Sequence, residues 1–170
     1  IESASAVSGS AEPDDFAVLD LLDSLVRKSV VVADGSSGAM RYSMLETIRQ
    51  FAEEELVASG SAAEARTAQA RHYAGKEADL TTMWHGPDQE SAYRWFTTEL
   101  PNLRSAYRWA ADEGDVDTAA VIATYASFLG LAIANLEALP WAEGLIPAAR
   151  AMGHRRLGAL QIMASQCWMP

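Results

Sequence analysis

Cysteine is all but missing from this sequence. Its 170 residues contain one, Cys167, so no intramolecular disulfide can form and a reducing, cytoplasmic setting is expected. Basic residues are scarce too: thirteen Lys and Arg stand against twenty-three Asp and Glu, for a formal net charge of -10 and a pI near 4.6. That sign is wrong for a surface that must hold a polyanion, and general nucleic-acid binding is disfavoured. No basic segment followed by an apolar stretch resembles a targeting peptide. The chain opens at Ile1 rather than Met and stops inside an apolar helical pattern, which leads us to expect a piece of something longer.

Catalytic signatures are equally thin. A phosphate-cradling loop needs glycines and then Lys followed by Ser or Thr. Here Gly75-Lys76 is followed by Glu77, and Ala70 stands where the first glycine belongs. His72, His85 and His154 form no i, i+4 pair and have no partner at ligand spacing, so no metal is expected. Cys167 lies between Gln166 and Trp168 on an apolar pattern and reads as a small buried residue rather than a nucleophile. Catalytic, cofactor-binding and metal residues are therefore expected to be absent, and the chain is read as non-enzymatic.

What is present is a helical pattern. Hydrophobic residues make up 49% and charged residues 21%, enough to bury a core. Residues 1–13, rich in Ser, Ala and Gly, read as a linker. From Asp14 to Lys28, Phe16, Leu19, Leu22 and Val26 recur at helical spacing, with acids at the start and Arg27-Lys28 at the end. The β-branched run Ser29 to Ala33, turn chemistry from Asp34 to Gly38 and alternation over Met40 to Leu45 predict a hairpin. A helix over Glu46 to Ala58 follows, with Ile48, Phe51, Ala52 and Leu56 on the stripe expected to meet the first helix, and Gly60 placed to cap it.

Everything after Ser61 reads as helix: Ala62 to about Met83, Asp88 to about Glu99, a turn near Leu100-Pro101, Asn102 to Glu113, Val116 to about Ile133, Pro140 to Ala151, and Arg155 to Trp168. Short turns between them predict antiparallel helical pairs. The uncharged stretch from Thr118 to Leu136 approaches the roughly 20 residues that cross a bilayer. Its Ala, Thr, Ser and Asn content and acidic flanks point instead to a central buried helix. Ser91-Ala92-Tyr93-Arg94-Trp95 recurs as Ser105-Ala106-Tyr107-Arg108-Trp109, too close together for a solenoid repeat. The fold class is thus mainly α: a winged-helix unit with a small hairpin over 14–60, then helical pairs over 61–170.

Helix, hairpin and helix could form a DNA-reading winged helix, with Arg27 and Lys28 as its phosphate contacts. Charge argues against it. Residues 1–60 hold eleven acids against four bases, and the helix that would enter the groove carries Asp14, Asp15, Asp20 and Asp23. Packing against neighbouring domains is the favoured use of such a unit.

Several segments follow one another in a familiar order: Val18-Leu19-Asp20-Leu21-Leu22-Asp23-Ser24-Leu25-Val26-Arg27-Lys28, Arg41-Tyr42-Ser43-Met44-Leu45-Glu46-Thr47-Ile48-Arg49-Gln50-Phe51-Ala52, Arg71-His72-Tyr73, and Glu99-Leu100-Pro101-Asn102-Leu103-Arg104-Ser105-Ala106 with Gly114-Asp115. Over residues 15–170 this resembles the segment after the nucleotide-binding domain in large bacterial regulators of the signal-transduction ATPase (STAND) class, many of them LuxR-family or adenylate cyclase-like. The resemblance implies an ATPase domain upstream that binds ATP or ADP, and a winged helix that packs on it. It also implies a tetratricopeptide-like helical sensor for a protein partner or small-molecule inducer. One departure stands out. Related plant-resistance ATPases carry Met-His-Asp where this chain has Met44-Leu45-Glu46, and Leu45 has no donor for a nucleotide. A stand-alone winged-helix repressor and a helical interaction scaffold are the alternative readings.

Overall fold

The computed structural model describes residues 2–8, 15–36 and 40–168, without the side chain of Trp168. The chain is mainly helical with one small two-stranded antiparallel hairpin, and it divides into two compact units, 1–69 and 70–170. Of the stretch expected to be a linker, Glu2–Val7 forms a short helix (α1), while residues 9–14 lie outside the described residues. The Ser5 hydroxyl donates to the Asp15 carboxylate at 2.7 Å, which ties α1 to the first turn of α2.

Helix α2 spans Asp15–Arg27 and ends at Ser29, whose φ of 58° lets the Val30 N–H reach back to the Leu25 carbonyl at 3.0 Å. Strands β1 (Val32–Asp34) and β2 (Arg41–Ser43) pair with Ala33 opposite Tyr42. The Asp34 carboxylate accepts from the Ser36 N–H at 2.8 Å, opening the turn. Ser37, Gly38 and Ala39, the remainder of that turn, are outside the described residues. Helix α3 is Glu46–Ala58, and Gly60, at φ 78°, supplies the left-handed exit expected of it.

The stripe expected on α3 is only partly covered: Ile48, Ala52 and Leu56 are half-buried. No residue of α3 is buried, and Phe51 is 61% exposed. On α2, Phe16 is likewise 80% exposed, while Val18 is buried. Phe16 and Val18, two positions apart, point to opposite sides of α2, and the first unit supplies little to cover Phe16 or Phe51. An ion pair between Arg66 and Glu53 joins α3 to helix α4 (Ala62–Gly75).

Three helices in the rest of the chain differ from expectation, the last being the one expected over Arg155 to Trp168, which ends at Ser165. The helix expected from Ala62 to Met83 is interrupted at Lys76, giving α4 and α5 (Glu77–His85), because Gly75 is a weak helix former with no side chain to hold the turn. Conversely, the turn expected at Leu100-Pro101 is absent: α6 runs unbroken over Gln89–Asp112. Pro101 removes one backbone hydrogen bond from its interior. The helix persists because Ala92, Phe96, Leu100, Leu103, Ala106 and Ala110, all buried, keep one continuous stripe in the core on both sides of the proline.

Helix α7 (Val116–Ala132) is the centre of the second unit and packs on α5, α6, α8 (Leu139–Ala151) and α9 (Leu157–Ser165). A helix apolar on nearly every side must be covered on nearly every side, which is the central helix its uncharged sequence predicts. Asp115 caps it, accepting from the Thr118 N–H at 3.1 Å and the Thr118 hydroxyl at 2.7 Å. Near its end the chain doubles back so tightly that a Cβ on Gly130 would lie 2.3 Å from the Asn135 carbonyl oxygen. Among the described residues no helix is long and apolar enough to cross a membrane. A short 3-10 turn, Gln166–Trp168, follows α9.

Candidate interaction surfaces

The first unit is notable for what it leaves uncovered. Its buried apolar side chains among the described residues are Val18, Val31 and Ala62, whereas Phe16, Leu21, Val32, Leu45, Phe51 and Val57 are exposed along α2, β1 and α3. That is a large share of exposed apolar side chains for so small a unit, the kind of exposure that accompanies interaction sites. The same elements also expose carboxylates: Glu54 and Glu55 on α3, and Asp20 and Asp23 on α2.

The two residues of the alternative DNA reading sit at the end of α2. The Arg27 guanidinium lies 2.9 Å from the Asp23 carboxylate one turn earlier, and both are largely exposed. Lys28 is exposed in the turn that follows. At the start of α3, Glu46 accepts from Arg49 at 2.6 and 2.9 Å and from Gln50 at 3.0 Å. Those hydrogen bonds, led by Arg49, lower its carboxyl pKa to about 2. Leu45, beside it, is exposed and supplies no polar group.

In the second unit the duplicated Ser-Ala-Tyr-Arg-Trp motif acquires a structural meaning. Fourteen residues are close to four helical turns, so both copies occupy the same face of the single helix α6, roughly 21 Å apart. Ala92 and Ala106 are fully buried against the core. Each tyrosine meets a tryptophan from another element: Tyr93 packs edge-on against Trp84 at 5.1 Å, and Tyr107 stacks on Trp141 at 4.9 Å. The Tyr107 hydroxyl also donates to the Trp141 carbonyl at 3.0 Å. From the sequence, the spacing only excluded a solenoid repeat. Reading α6 as one helix would have revealed its alignment.

Around these rings lie polar ties between distant segments. Arg104 holds Glu137 with hydrogen bonds of 2.5 and 2.9 Å, which with the nearby Arg108 charge lowers the Glu137 pKa. Arg156 makes a two-pronged contact with Glu77 at 2.7 and 2.6 Å. The buried Tyr125 hydroxyl donates to the Tyr73 carbonyl at 2.8 Å, and burial pushes its pKa well up. Each of these groups ties distant segments together within the fold, although the buried Arg156 Nε has no hydrogen-bond partner.

The histidines are dispersed. His72 meets Tyr73 edge-on at 5.2 Å, His85 Nδ1 lies 2.9 Å from the Thr81 carbonyl, and His154 Nε2 lies 2.9 Å from Asp117. Among the described residues no three His, Cys, Asp or Glu side chains come together as a metal site. Cys167 is exposed, not buried as expected, because it falls in the 3-10 turn after α9 has ended. Partial desolvation and then the Glu143 charge raise its thiol pKa, which disfavours the thiolate.

A shallow apolar notch between α5 and α7 is lined by Leu80, Trp84, Tyr125, Phe128 and Leu129, with Trp84 and Phe128 in edge-on contact at 4.9 Å. Phe128 stands out on α7 because it is 41% exposed between two buried neighbours, Ser127 and Leu129.

No family model matches the chain, and no solved structure matches it. It is similar to curated proteins named HTH-type transcriptional regulators, one from Mycobacterium bovis and two from strains of Mycobacterium tuberculosis. Each is 37% identical over 145 residues, which is 83% of this chain. The chain spans 16% of the length of these relatives.

Proposed function

We propose that this chain is a non-catalytic coupling segment of a larger bacterial transcriptional regulator. The regulator role is supported by the similarity to proteins that carry that name and are about five times longer. The coupling role rests on the large apolar side chains that α2, the hairpin and α3 leave exposed. In this reading residues 14–60 are a winged helix whose apolar face packs on an upstream ATPase domain of the STAND class. Residues 61–170 open a tetratricopeptide-like sensor that meets a protein partner or a small-molecule inducer.

The division of labour follows from the chemistry of each part. This chain has no phosphate loop, so ATP or ADP belongs to the upstream domain, and Leu45 brings no hydrogen-bond donor to a nucleotide. What the first unit can transmit is the presence or absence of a packed neighbour. Its acidic excess selects against nucleic acid, and DNA is read by another domain of a LuxR-family or adenylate cyclase-like regulator. The second unit, built on one continuous buried core, is the part that passes on a displacement. The assembly works in the cytoplasm.

Reading the coding frame on both sides of the segment tests the proposal. A phosphate loop upstream, with further helical repeats and a basic helix-turn-helix downstream, is the expected result. A start codon and a stop codon at the edges of these 170 residues would overturn it.

A further inference from the structure

We draw no further inference here: the strongest candidate, the apolar notch between α5 and α7 beside Trp84 and Phe128, has room of about 30 Å³, enough for a water molecule or a methyl group, and nothing in the structure shows what covers it.

Discussion

Replacing Phe51 and Phe96 by alanine, one at a time, separates a surface awaiting a partner from a core already formed. Phe96 on α6 is completely buried, and its truncation should cost about 3 to 5 kcal/mol. Phe51 on α3 is 61% exposed. A phenylalanine offers on the order of 200 Å² of surface. With less than half of it covered, and alanine keeping part of the contact, truncation uncovers roughly 50 Å², about 1 kcal/mol at 25 cal/mol per Å². The residual compactness of the unfolded chain reduces that figure further. All five tryptophans lie at or beyond residue 84, in the second unit, so their fluorescence in urea follows Phe96→Ala. Backbone amide exchange in α3 follows Phe51→Ala. Costs of about 3 kcal/mol or more for both variants would mean that α3 is packed in the isolated chain, and the argument from its exposed face would fail.

Three further outcomes are expected. Gly130→Ala should destabilise the second unit by about 1 to 3 kcal/mol in chemical denaturation, because the new Cβ meets the Asn135 backbone oxygen at 2.3 Å. Gly158→Ala on α9, with nothing within 4 Å of its Cβ, should instead stabilise by about 0.5 to 1 kcal/mol; the same sign for both would refute the packing at the α7 exit. The Glu46 carboxyl should titrate near 2 when followed by carbon NMR, since its hydrogen bonds with Arg49 and Gln50 favour the ionised form. Its folded-state pKa lies below the unfolded value, so its contribution to α3 is present above the unfolded pKa of about 4.3 and is lost as pH falls through about 2. A titration at the ordinary glutamate value would show the cluster to be open in solution.

Local chemistry made much of this fold legible. The bounds of α3, the hairpin and the cap at Gly60 follow from turn residues and β-branched runs that act over a few positions. The burial of α7 follows from a stretch without charges. Pro101 was misleading because the rule that proline ends helices weighs one lost hydrogen bond, whereas the stripe from Ala92 to Ala110 buries six side chains in α6. The interruption at Lys76 left almost no trace, since a single glycine is tolerated in many helices. Periodicity grouped Ile48, Phe51 and Leu56 but says nothing about whether the chain supplies a surface to meet them. Arg104 with Glu137, Tyr107 with Trp141 and Arg156 with Glu77 are separated by 33 to 79 residues, and only the folded backbone pairs them.

The central claim is that the exposed apolar side chains of α2 and α3 are the contact through which nucleotide state reaches the helical unit. Hydrogen–deuterium exchange on the full-length regulator, loaded with ATP or with ADP, tests it directly. The account predicts that peptides from residues 16–57 differ in protection between the two states, and that Phe51→Glu removes the difference. Identical protection of those peptides in both states would contradict it.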